Sequence, residues 1–226
     1  MPGQKPFRAE RENDTAGLPV PTPRPEQGNP TDVTAKIGKV DELPVEEAAC
    51  RDRLTAMGVS FKPAKRIDGT GGCGVAYPIS IERLPQGIAL SGRTVLGCEV
   101  SEALANWTVS VAVPEAEKQF GAKLTAIDQY ASYVCRTRNS QAGAKLSEHA
   151  KGNAIDLGRF RMADGTVVDV ASDPESGTPE QAFLQTLREE GCTYFTTVLG
   201  PGSDGFHNSH FHFDVAKRRS GYRYCK

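Results

Sequence analysis

The chain contains four histidines, and all four fall in two short segments. The first is Ser147-Glu148-His149-Ala150-Lys151-Gly152-Asn153-Ala154-Ile155-Asp156, which sets one imidazole and one carboxylate seven positions apart across a glycine. The second is His207-Asn208-Ser209-His210-Phe211-His212-Phe213-Asp214. Imidazole nitrogen and carboxylate oxygen are ligands that zinc takes from proteins, and a catalytic zinc uses three of them and keeps a position for water. The ion lowers the pKa of that water to about 7, which makes hydroxide available at neutral pH. His149, Asp156 and one histidine of His210-x-His212 would complete such a set of three. A remaining histidine would serve as base, or as electrophile toward a developing oxyanion.

A lone histidine is usually a surface or hydrogen-bonded residue, and a His-x-His pair alone is moderately specific. Their surroundings add weight here. Alternate residues of a strand point to opposite faces. His210, His212 and Asp214 would then share one face, and Phe211, Phe213 and Val215 the other, against the core. In the first segment Ala154 and Asp156 share a face, with Ile155 and Leu157 opposite. Gly152 lets the chain bend so that His149 returns beside Asp156. The expectation is a metal site spanning two separated strands.

The elements that must carry these strands are legible in outline. Val45–Leu54 reads as a helix with acidic residues early and arginines late, closed by Gly58. Gly69–Gly74 lacks the Lys-Ser/Thr ending of a phosphate-binding loop and reads as a turn pinned by Cys73. Short strands and turns fill 75–97. A helix over 99–107 shows Val100, Leu104 and Trp107 on one face. A second helix runs from Pro114 to Phe120, capped by Gly121. Strand patterns return at Leu124–Ile127 and Tyr130–Arg136, and again at 167–170. A helix over 179–190 carries Phe183, Leu184 and Leu187, with Gly191 closing it. Helices first, then a strand-rich half with one helix, predict an α+β fold: a small antiparallel sheet carrying the metal site and packed by helices.

Residues 1–43 are set apart by composition. Pro19, Pro21, Pro23, Pro25 and Pro30 crowd a stretch poor in large apolar residues, which predicts a tail or linker before a domain over 44–226. The net charge is -1, which excludes a nucleic-acid binder built on a broad basic surface. No apolar run approaches the roughly 20 residues of a membrane span. Six cysteines, at 50, 73, 98, 135, 192 and 225, are even in number and show no Cys-x-x-Cys spacing. They predict three disulfides and an oxidising compartment, periplasmic or extracellular. Met1–Lys5 is polar and leads into no apolar core, so an export signal would have been removed ahead of this chain.

Ser147-x-His149-x-x-Gly152-x-Ala154-x-Asp156 resembles the signature of the zinc D-Ala-D-Ala peptidases of the LAS superfamily, which includes the penicillin-insensitive murein endopeptidases and a hedgehog-type domain. His207-x-x-His210-x-His212 is similar to the spacing in the murein endopeptidases. Residues 44–226 as a whole resemble the bacterial extensin-like C-terminal domain family, through Tyr133-Val134-Cys135-Arg136, Ser147-Glu148-His149, Asn153-Ala154-Ile155-Asp156 and the closing His-Phe-His-Phe-Asp. The peptidase resemblance implies one zinc ion per chain on His149, Asp156 and His212, with His207 and His210 assisting catalysis. It implies Arg136 and Ser147 as substrate contacts, and peptidoglycan stem peptides as substrate. Carboxypeptidases and dipeptidases of the superfamily often carry a glutamate three residues before the last zinc histidine. Ser209 stands there in this chain, which favours the histidine-assisted endopeptidase form. The competing expectation is a non-catalytic wall- or partner-binding module that keeps its metal for structure.

Overall fold

A computed structural model describes residues 43–172 and 174–226, so the segment 1–42, which holds nearly all of the expected tail, lies outside the described residues. The first helix, α1 (Val45–Ala56), has Glu46 and Glu47 in its first turn and Arg53 in its last, each sign opposing the macrodipole. Five short strands follow: β1 (Ser60–Pro63), β2 (Ile67–Asp68), β3 (Gly74–Val75), β4 (Ile79–Arg83) and β5 (Ala89–Leu90). Next come α2 (Cys98–Trp107) and α3 (Val113–Phe120). The second half holds β6 (Leu124–Ala131), β7 (Ala154–Met162), β8 (Val167–Asp169), α4 (Pro179–Tyr194), β9 (Thr197–Leu199), β10 (Phe211–Asp214) and β11 (Tyr224–Cys225).

The α+β expectation holds. The main sheet has nine strands, ordered β1-β4-β5-β6-β7-β10-β9-β11, with β8 also on β7. The pairings around the histidine segments are antiparallel: β6 with β7, β7 with β10, β10 with β9. Among the described residues, parallel pairing is confined to β5 with β6 and β11 with β9. The helices cover one face. Trp107 on α2 meets Phe213 of β10 edge-on at 5.3 Å between ring centroids, and its indole N–H donates to the Leu187 carbonyl of α4 at 3.1 Å. Ile155, Leu157, Phe211 and Phe213 are all buried in this layer. Their strand neighbours Asp156 and His212 therefore face the other side of the sheet.

Three disulfides tie the layers, using all six cysteines: Cys50–Cys98, Cys73–Cys135 and Cys192–Cys225. Cys50–Cys98 fastens α1 to the start of α2. Cys73–Cys135 fastens the glycine-rich turn to the chain leaving β6.

Three local expectations are corrected. The helices expected at 99–107 and 114–120 form one continuous run, joined by a π-helical turn over Thr108–Ala112. Pro114 has no N–H for the carbonyl four residues back and would crowd it, and a wider turn just ahead relieves that conflict. Gly191 does not close the last helix, which continues to Tyr194. A Cβ at Gly191 would lie 3.3 Å from the Phe213 ring, so the glycine is there for close helix–sheet approach. The strand expected through Arg136 ends at Ala131. Beyond it the Ser132 carbonyl leaves the ladder and meets a histidine ring instead.

Candidate metal centre

Three elements bring the expected ligands together. Asp156 and His212 are direct cross-strand partners on β7 and β10, and Ala131 of β6 pairs with Asp156 on its other side. His149 sits on a 3₁₀ turn, Glu148–Lys151, immediately before β7. The Ser147 hydroxyl caps that turn by accepting from the His149 N–H at 3.4 Å. Gly152 ends it in the left-handed region at φ +68°, and its N–H donates to the His149 carbonyl at 3.1 Å. A Cβ there would lie 2.8 Å from Val75 Cγ2. Left-handed strain adds about 1–2 kcal/mol and overpacking about 1–3 kcal/mol. Gly152→Ala is therefore expected to destabilise the domain by about 2–5 kcal/mol, measured by denaturant unfolding, and to weaken metal uptake by shifting His149.

The ligating atoms converge. His149 Nε2 lies 3.1 Å from Asp156 Oδ1 and 3.1 Å from His212 Nδ1, and His212 Nδ1 lies 2.9 Å from Asp156 Oδ1. Among the described residues this is the one cluster of three such side chains with ligand-like spacing. Ligands about 2.0–2.1 Å from a tetrahedral zinc sit about 3.3 Å from one another, close to these separations.

The outer hydrogen bonds test whether the residues fit a cation. His149 Nδ1 lies 2.6 Å from the Ser132 carbonyl, an acceptor, so Nδ1 carries the hydrogen and Nε2 turns a lone pair inward. His212 Nε2 lies 3.4 Å from Asp214 Oδ2, which turns Nδ1 inward, and Nδ1 offers a lone pair there when the ring is neutral. With both rings neutral, their lone pairs and that of Asp156 Oδ1 point at one another in a buried site. That arrangement is repulsive unless a cation stands between them, and the carbonyl and carboxylate behind the rings are the usual orienting shell of metal-bound histidines. The donor set, two imidazoles and one carboxylate, is one that zinc accepts. The residues fit the ion.

Without a metal, a proton fills that role. Burial disfavours the His212 cation, but hydrogen bonds to Asp156 and Asp214 outweigh it and hold the imidazole at about 9. Burial likewise opposes ionisation of Asp156, yet hydrogen bonds from His149 and His212 hold its carboxyl well below the usual carboxylate range. The two shifts set opposite limits on the metal-free protein. The His212 contribution to stability is fully present below about pH 6.5 and is lost as pH rises through about 9. The Asp156 contribution is present above about pH 4 and is lost in acid. A metal must displace the His212 proton, so uptake near pH 7.5 is expected to release about one proton per ion. Calorimetric titration in buffers of different ionisation enthalpy measures that number.

The two remaining histidines lie on the same side. His210 Nε2 is 3.6 Å from Asp156 Oδ1, and its ring centroid lies 5.4 Å from that of His207. Burial pushes the His210 imidazole below its usual value, and neighbouring histidines add to the shift against the pull of Asp156. His207 is buried, its ring centroid is 5.5 Å from that of His212, and its Nδ1 donates to Asp204 Oδ1 at 2.7 Å. In the neutral tautomer that bond leaves Nε2 as an acceptor. Arg136 lines two cavities beside the cluster, of about 190 Å³ and about 240 Å³, and its guanidinium donates to the Thr137 carbonyl at 3.2 Å. All seven residues singled out in the sequence lie in this cluster or in the walls of the two cavities beside it. Ser147 lies in the smaller cavity wall and also caps the His149 turn.

Four residues were not among them. Ser132 supplies the carbonyl behind His149, Asp214 the carboxylate behind His212, and Asp204 the carboxylate behind His207. Tyr130 lies beside His210, at 6.5 Å between ring centroids. Its ring also covers Gly158, where a Cβ would fall 2.0 Å from Tyr130 Cζ. The glycine in the middle of β7 is the one sequence signal for that ring, since an interior strand glycine marks close approach by another group.

Residues 48–226 match the family model described as Extensin-like protein C-terminus. The chain belongs to that family. The extensin-like match spans the whole set of site residues, from Arg136 to His212. No curated protein and no solved structure matches the chain. Among the described residues of this extensin-like domain, no helix is long and apolar enough to cross a membrane.

Proposed function

We propose that this extensin-like domain is a zinc-dependent peptidoglycan peptidase, an endopeptidase that hydrolyses cross-link amide bonds in the periplasm or outside the cell. The observation that carries the reading is the convergence of His149 Nε2, His212 Nδ1 and Asp156 Oδ1 within 3.1 Å of one another, beside two further imidazoles and two cavities that His207, His210, His212 and Asp156 help to line. His149, Asp156 and His212 would hold the ion. Zinc supplies a Lewis acid and a source of hydroxide at neutral pH.

The chain's own groups do the rest. The His207 ring, held by Asp204, presents Nε2 as a proton acceptor on the cavity side. His210 stands over the Asp156 carboxylate, placed to hydrogen-bond a developing oxyanion or to pass a proton to the leaving amine. Arg136 offers a planar fork to a substrate carbonyl or carboxylate. Hydrolysis consumes one water: the carbonyl carbon gains an oxygen, the C–N bond breaks, and the amine leaves with a proton. Every cysteine is in a disulfide, so no thiol nucleophile competes with this route. Those disulfides support an oxidising location. The substrate class rests on the likeness of the two histidine segments to the LAS peptidases, and Ser209 in place of a glutamate favours the endopeptidase form.

The test is mass spectrometry of defined muropeptides with 4-3 or 3-3 cross-links after incubation with zinc-loaded protein. One cross-linked dimer should gain one water and separate into two monomers, and a chelator should stop the reaction. Fully loaded protein that leaves every cross-linked and uncross-linked muropeptide intact overturns the reading.

A further inference from the structure

The smaller cavity has a charge pattern that metal chemistry does not use. Three guanidinium groups line it: Arg136, Arg138 and Arg218. Among the described residues none of the three lies within ion-pair distance of a carboxylate. Arg136 donates only to a backbone carbonyl. Arg218 donates to the Thr196 carbonyl at 2.8 Å and the Thr197 hydroxyl at 2.6 Å, both neutral acceptors. The acids in the same wall are already engaged. Glu148 accepts from Lys151 at 2.8 Å, Asp204 from His207 at 2.7 Å, and Asp214 from the Ala216 N–H at 3.0 Å with His212 beside it.

The larger cavity differs. It is reached on the Asp156 and His210 side, and exposed Phe206 lies in its wall. Arg136, Asn139 and His207 are common to both cavities and form the ridge between them. Asn139 and its neighbour Ser140 both hold left-handed backbone, at φ +52° and +56°. Such conformations in residues other than glycine persist where the surroundings demand them, and they concentrate at ligand-binding sites.

We infer that the cavity of Arg136, Arg138 and Arg218 is an anion subsite that holds a substrate carboxylate on one side of the cleaved bond, while the Phe206 cavity takes the other, less charged side. This deepens the peptidase reading and rests on it for the word substrate. Three guanidiniums without acidic partners in a concave, partly buried wall favour an anion of matching planar geometry, and carboxylate accepts paired N–H bonds from arginine. A cleft divided by a ridge, with unlike chambers on its two sides, suits a chain that continues past the reacting bond in both directions.

The probes are a purified cross-linked muropeptide dimer and the same dimer with its free carboxylates converted to amides. Binding to the zinc-loaded protein is measured by calorimetry, and hydrolysis separately. The acid form should bind at least about tenfold tighter than the amide, and Arg138→Gln should erase most of that difference with zinc content unchanged. Arg138 is exposed and its side chain makes no hydrogen bond among the described residues, so this variant is expected to fold. Arg218→Lys is the second variant, keeping the charge while losing the fork, and should give an intermediate loss. If turnover occurs, both changes should raise KM and leave kcat within about twofold. Equal binding of acid and amide forms, or full retention of the difference in Arg138→Gln, overturns the subsite. A protein that binds the acid form selectively but cuts neither keeps the subsite and overturns the peptidase reading, so the two failures are distinct.

Discussion

Replacing His212 with alanine should empty the metal centre while leaving the fold in place. In the proposed site His212 would supply one of three ligating atoms, and its Nδ1 faces both His149 Nε2 and Asp156 Oδ1. Loss of an orienting partner behind a ligand typically costs about 10–100-fold in affinity, and loss of the ligand itself costs at least that much. The wild-type protein should bind one zinc per chain, and His212→Ala should bind it at least about 100-fold more weakly. The fold is expected to survive because β10 is anchored from the other face, by Phe211 and Phe213 against Trp107 and Phe160. Circular dichroism and metal analysis on the same sample separate the two outcomes. A variant that folds and retains stoichiometric zinc contradicts the ligand set.

His210→Ala should give the opposite pattern, full metal and little turnover. His210 approaches Asp156 Oδ1 at 3.6 Å, outside the triangle that the three ligand atoms form. A positioned acid–base group contributes about 10²–10⁴ to a rate. The variant should therefore bind zinc like the wild type and lose turnover within that range on a cross-linked muropeptide. Of the two assisting histidines His210 is the cleaner probe, because removing His207 also frees Asp204 from its 2.7 Å hydrogen bond. If His210→Ala loses its zinc, His210 is a ligand; if it keeps full turnover, His210 has no part in the reaction.

Much of this arrangement is legible in the residue order because it depends on local periodicity. His212 and Asp214 alternate with Phe211 and Phe213, so a single strand assigns one set to the core and the other to the site. Gly152 marks the bend by its need for positive φ. Even the pairing partner of His149 is local, seven residues away. Features that depend on other parts of the chain are less visible. Ser132 and Asp204 hold the rings through single hydrogen bonds, and nothing in Asp204-Gly205-Phe206-His207 distinguishes an orienting carboxylate from a loop acid. Gly191 sits where a helix cap is expected and serves instead to admit the Phe213 ring. The π-helical turn at Thr108–Ala112 answers to Pro114, and periodicity alone reads it as a gap between two helices. The pairing of six cysteines is fixed by the fold, since the joined residues are 33 to 62 positions apart.

The proposed metal centre is held by three protein side chains and open on its fourth side. X-ray absorption spectroscopy on the zinc-loaded protein addresses it most directly, with His212→Ala as the matched sample. The predicted result is two imidazole nitrogens at about 2.0–2.1 Å, one carboxylate oxygen, and one further oxygen from outside the protein. A shell of four protein ligands would instead describe a closed structural site, and a spectrum unchanged in His212→Ala would place the zinc elsewhere; either result contradicts an open three-ligand centre on His149, Asp156 and His212.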